Sequence, residues 1–150
     1  MHCLLHAIRN VRFHRGDLLD PAACPGAYGL IDAYGVIHHL QEPLAGLKAL
    51  TDRMTEHGII RLMVYSRYPR QEEDSIRRAF AMLGIRNVAS ARQLLSRARS
   101  GSRLHSFVRS SFEMRSSSGM ADALLHPCVK SYCIDELLET AWLLEEEGSD

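Results

Sequence analysis

Two short stretches carry the side chains best suited to chemistry. The first is Phe13-His14-Arg15-Gly16-Asp17-Leu18-Leu19, in which a carboxylate follows a glycine just beyond an apolar alternation. An aspartate at the end of a strand can accept from the amino group and the ribose or adenine edge of a nucleotide-like ligand, although aspartate after glycine also serves as a plain turn residue. The second is Asp32-Ala33-Tyr34-Gly35-Val36-Ile37-His38-His39-Leu40-Gln41-Glu42-Pro43. Here an apolar run meets a glycine that permits close backbone approach, then two imidazoles at the ligand edge, then a proline suited to a helix start. Capping the strand end by bonding loop carbonyls is a second role open to His38 and His39. A metal is disfavoured, because adjacent histidines do not easily reach one ion and no nearby Asp or Cys spacing completes a site. Asp32, inside a strand, is expected to pair with a neighbouring donor.

The elements that must position these residues follow from periodicity. Met1 to Asp20 reads as the end of a helix, then a strand through Val11 and Phe13. Tyr28 to Ile37 is apolar apart from Asp32 and predicts a strand buried on both faces. A helix opening at Pro43 carries Leu44, Leu47, Leu50 and Met54 on one side and is expected to stop near Gly58, with a strand from Ile59 to Tyr65. Strands alternating with a helix point to βαβ units and a parallel sheet whose ligands bind beyond its carboxyl ends, where Tyr65 and Arg67 also fall. The predicted class is α/β, a partial Rossmann-like parallel sheet of about three strands with a helical C-terminal region. Helices are expected around Ile76 to Leu83, Ala91 to Ala98 and Ile134 to Leu144, and the serine-rich stretch 100–118 is expected to be a loop or lid. The division is a 1–85 α/β core and an 86–150 helical, Arg/Ser-rich insertion with an acidic C-terminal helix, packed on that core.

The chain has 150 residues, 18 basic and 18 acidic side chains and a formal net charge of zero, which suits one globular domain and implies no global attraction to nucleic acid or membrane. Charge is nonetheless segregated: residues 67–115 hold eleven arginines against four acids, and residues 120–150 hold eight acids against Lys130 alone. The arginines from Arg86 to Arg109 can face the acidic helix or solvent, or grip phosphate or RNA. Cys3, Cys24, Cys128 and Cys133 lack CxxC spacing and no signal peptide precedes them, so reduced thiols in a cytoplasmic protein are expected. No apolar run approaches the roughly 20 residues of a membrane span.

Gly16-Asp17, then Gly35 to Pro43, then Gly58 to Ser66 resemble, in order and spacing, the middle of class I S-adenosylmethionine-dependent methyltransferases, where a strand ending in GD precedes a strand reading like GVLHHL-x-x-P. Ser116 to Leu138, with Ala-Asp-Ala-Leu-Leu-His-Pro, is similar to a substrate-side insertion of one branch. The resemblance implies an S-adenosylmethionine cofactor: Asp17 accepting from the adenine amino group, Leu18 packing on the adenine, and the Tyr34-Gly35 backbone bordering the methionine part. It implies catalytic roles for His38 or His39, orienting an unknown methyl acceptor or taking its proton. No GxGxG occurs in the chain, Gly29 replaces an expected aspartate and His57 an expected glycine, so a fragment lacking the N-terminal glycine-rich cofactor loop is expected. The alternative is a non-catalytic remnant that serves as an interaction module or homo-oligomer through an exposed sheet edge.

Overall fold

The computed structural model describes residues 9–147, with side chains to residue 142. In chain order these form β1 (Tyr28–Tyr34), a 3-10 turn (Ile37–His39), α1 (Pro43–Thr51), β2 (Met54–Met63), β3 (Tyr65–Ser66), α2 (Gln71–Leu83) and α3 (Val88–Leu95). They continue with α4 (Arg103–Ser110), α5 (Ser117–Met120) running into a π turn (Ala121–Leu125), β4 (Ser131–Tyr132) and α6 (Ile134–Glu147). The chain is mixed α/β with two small parallel sheets, β1 beside β2 and β3 beside β4.

The β1–α1–β2 unit matches the expected strand–helix–strand order. Pro43 occupies the first turn of α1, where its missing N–H costs nothing. Alternation along β1 sends Ile31 and Ala33 to one side, where they join Ile37, Leu47, Leu50, Ile60, Leu62 and Val64 in an apolar cluster. The opposite face carries Leu30, Tyr34 and Ile59, which are 67%, 62% and 64% exposed. Asp32 and Arg61 are register partners between them and form a bidentate ion pair, as the reading of Asp32 required.

Four local expectations are corrected. The strand expected from Tyr28 to Ile37 ends at Tyr34 and is buried on one face, not both, because α1 covers only that side among the described residues. Val11 and Phe13 form no strand; Phe13 is 79% exposed, and among the described residues no neighbouring strand satisfies the backbone there. The helical part of that first unit lies outside the described residues. The α1 helix ends at Thr51, not near Gly58, because Gly58 serves a bulge inside β2. Tyr28 faces Met54 and Leu30 faces Ile59, so β2 carries extra residues between these pairs. A Cβ on Gly58 would meet the carbonyl oxygens of Thr55 and Tyr28 at 3.0 Å, a crowding that favours glycine at this close approach. The serine-rich stretch is folded: Ser102 Oγ accepts from His105 N–H at 3.2 Å and Ser116 Oγ from Gly119 N–H at 2.9 Å, capping α4 and α5. Phe107 and Met114 from this stretch, with Met120 just beyond it, are buried beside Phe80, Ala91, Leu95, Ala123 and Leu124 in a second core. The α2 helix joins that core through Phe80 and Ile76 and ends on Gly84 in the left-handed conformation.

Candidate functional site

The carboxyl ends of the parallel strands bring the histidine corner to a network that reaches far along the sequence. Gly35, with φ of +77°, turns the chain off β1 and donates its N–H to Met63 O at 3.2 Å. The 3-10 turn then places the two imidazoles differently. His38 is fully enclosed, with ring centroids 4.2 Å from His39 and 3.9 Å from Tyr65. Among the described residues neither of its nitrogens has a hydrogen-bond partner, although the Met63 backbone approaches the ring. Burial first, and the neighbouring His39 second, push His38 down to about 4, so its ring is neutral at pH 7.

His39 lies at the rim and is bonded on both sides. Its Nδ1 is 3.0 Å from Cys128 O, and its Nε2 is 3.0 Å from Asp122 Oδ1. Both neighbours are hydrogen-bond acceptors, so the ring bridges the Cys128 carbonyl and the Asp122 carboxylate. Tyr65, from β3, donates its hydroxyl to Asp122 Oδ2 at 2.7 Å. Burial, then this bond to Asp122, push Tyr65 up to about 12. The Arg70 guanidinium lies 3.6 Å from the Tyr65 ring centroid and 4.0 Å from Glu113 Oε1, almost wholly buried.

Asp122 is held by its own turn. Ala123 and Leu124 anchor the π turn in the helical core, while Arg77 donates to Ala123 O at 3.5 Å and to His126 O at 3.0 Å. Such one-turn widenings recur at functional positions. The following segment docks along the corner: Lys130 N–H donates to His38 O at 2.9 Å, Lys130 Nζ to Gln41 O at 2.9 Å, and Cys128 Sγ lies 3.1 Å from Leu40 O. His126 stacks on His39 with centroids 4.1 Å apart. Cys24, Cys128 and Cys133 are free thiols, and no metal-binding cluster occurs among the described residues.

The remaining candidates sit apart from this network. Tyr34 is exposed, with Arg61 5.7 Å from its ring centroid. Asp17 does not end a strand; its Oδ1 accepts from Leu19 N–H at 2.9 Å and its carbonyl from Asp20 N–H at 3.2 Å, the bonding of a turn residue. Leu18 packs against the same apolar cluster as Ala33 and Ile37, which ties this turn to the β1–α1–β2 unit. Arg67 is bound to Glu136 of α6, with Nη2–Oε2 at 2.6 Å. Asp122 and Arg70 were not singled out by sequence reasoning; the one available signal was the Ala-Asp-Ala-Leu-Leu-His-Pro stretch, which contains Asp122 and His126.

What the corner can do is present a carboxylate, Asp122, positioned by an imidazole and a phenol, at the ends of parallel strands. Among the described residues no helix is long and apolar enough to cross a membrane. No protein-family model matches the chain. It is similar to an uncharacterized protein of Synechococcus sp. (strain ATCC 27144 / PCC 6301 / SAUG 1402/1), 32% identical over 126 residues, which cover 78% of this chain. The chain spans only about 30% of the length of that curated relative.

Proposed function

We propose that the chain is part of a class I S-adenosylmethionine-dependent methyltransferase with a Rossmann-like sheet, transferring a methyl group to an acceptor. One observation carries this reading: the parallel β1–α1–β2 unit has the His38–His39 corner after its first strand and Tyr65 after its second, in the order of the resemblance. Bound S-adenosylmethionine supplies a sulfonium methyl group open to in-line attack. The Asp17–Leu18 turn fits the adenine end, since Leu18 lies against the unit and Asp17 offers a solvent-facing carboxylate. Gly35, half-buried and in the left-handed conformation, borders the space proposed for the methionine end. At the corner, His39 and Asp122 orient the acceptor and take its proton; His38, enclosed and neutral, packs beneath them. Orientation of this kind is worth about 7 to 11 kcal/mol of barrier, and a positioned base about 10² to 10⁴-fold.

Isothermal titration with S-adenosylmethionine and S-adenosylhomocysteine tests the reading. Saturable heat that weakens in Asp17→Ala is expected, and folded protein that yields none removes the cofactor from the proposal. A second reading, a non-catalytic interaction module, is favoured by the exposed Leu30, Tyr34 and Ile59 beside an edge of β1 that is unpaired among the described residues. Light scattering after size exclusion decides it: a monomer at all concentrations ends self-association through this face.

A further inference from the structure

From the outer surface of α3, α4 and the turns around them, we infer a binding site for single-stranded nucleic acid, independent of methyl transfer. Between Arg86 and Phe112 the chain holds no acid. Ala91, Leu95 and Phe107 turn inward to the helical core, which leaves the arginines on the solvent side. Arg86, Arg92, Arg97, Arg99, Arg109 and Arg115 are all exposed, and none has an acidic partner among the described residues.

Of the arginines from Arg86 to Arg115, only Arg103 has an acidic partner among the described residues. Glu72 binds Arg103 at 2.9 Å, and Glu113 turns toward Arg70 and the Ser111 hydroxyl, with Ser111 Oγ–Oε2 at 2.8 Å. The acidic α6 helix pairs with Arg67 instead, so the expectation that it would cover the arginine stretch is not met among the described side chains.

The surface also presents an aromatic platform. Phe112 is 76% exposed, and the Arg115 guanidinium lies 5.6 Å from its ring centroid. An apolar ring with no core to fill, with the Arg115 guanidinium beside it and Arg109 three residues earlier in sequence, offers a face on which a base stacks while the guanidinium groups meet phosphates. A nucleic-acid strand supplies phosphates for the arginines and a base for Phe112 from one repeating unit, which makes it the better fit.

The test is fluorescence anisotropy with a labelled single-stranded oligouridine of roughly twenty nucleotides, longer than a typical single-strand site. With about five arginines engaged, log affinity falls against log salt with a slope of about −3.5, close to a hundredfold loss between about 50 and 200 mM. Arg97→Ala with Arg99→Ala flattens the slope by about 1.4, while Phe112→Ala weakens binding by about fivefold or more and leaves the slope alone. Circular dichroism confirms that these surface variants remain folded. Absent binding at low salt, a flat salt response, or Phe112→Ala with wild-type affinity overturns the inference. So does polyglutamate competing as well as RNA, which assigns the surface to an acidic protein.

Discussion

The β1–α1–β2 unit covers one face of its sheet with α1, whereas α2 to α5 converge on a shared core. Buried side chains reflect the difference: Ala33, Ile37, Leu47 and Leu50 in the first, against Phe80, Ala91, Leu95, Phe107, Met114, Met120, Ala123 and Leu124 in the second. A parallel sheet gains its stability from cover on both faces, so the unit with the candidate chemistry is the less self-sufficient of the two. Its strand ends depend on the residues from Asp122 to Lys130, which bolt the histidine corner to the helices.

The sharpest way to break this contrast is through the helical core. Phe80→Ala is expected to cost about 3–5 kcal/mol in a urea melt, since the ring is enclosed and its cavity cannot collapse easily. A loss below about 1 kcal/mol would mean that the helices do not carry the stability assigned to them.

His38 gives the next largest effect, through pH. Its pKa is depressed to about 4 by burial, so the unfolded chain takes up a proton below about 6.5 that the folded chain refuses. Stability is therefore fully present above pH 6.5 and falls as pH drops toward 4, by roughly 3 kcal/mol for a shift of this size. His38→Phe removes this dependence and the unpartnered nitrogens together. Chemical melts across that window check it, and equal slopes in the two proteins would show that His38 is not enclosed.

Asp122→Ala removes the joint itself. Losing two side-chain partners is expected to cost about 1–3 kcal/mol and to lower the Tyr65 titration from about 12. The phenolate absorbance gives the second readout. Ser102→Ala, which removes a helix cap, is expected to cost about 1 kcal/mol. Leu30→Ser, on the open face, should change stability by less than about 0.5 kcal/mol while reducing any self-association measured by light scattering.

Much of the sheet half was legible because its signals are local. An apolar run with one paired aspartate, a proline and a short β-branched run suffice for strand, helix and strand. Gly58 was misassigned because a helix cap and a strand bulge ask the same thing of a residue, the absence of a Cβ, and the deciding neighbours, Thr55 and Tyr28, are known only once β1 and β2 pair. Val11 and Phe13 alternate as a strand does, yet alternation forms no ladder without a partner. Serines were read as loop formers although two of them cap helices, where the same hydroxyl chemistry supports the helix. For the candidate site, the histidine pair was visible and its partners were not. Asp122, Cys128 and Arg70 approach the corner only through tertiary packing.

The bond between His39 and Cys128 spans 89 positions of sequence. As the polypeptide leaves the ribosome from its N-terminus, β1, α1 and β2 are available long before the segment that completes the corner. Contacts this distant in sequence close late, after the costs of ordering the intervening chain have been met. His39 must therefore wait for residues 122–128 before it acquires its carboxylate and carbonyl partners, and a nascent chain halted before residue 120 would present that ring without them.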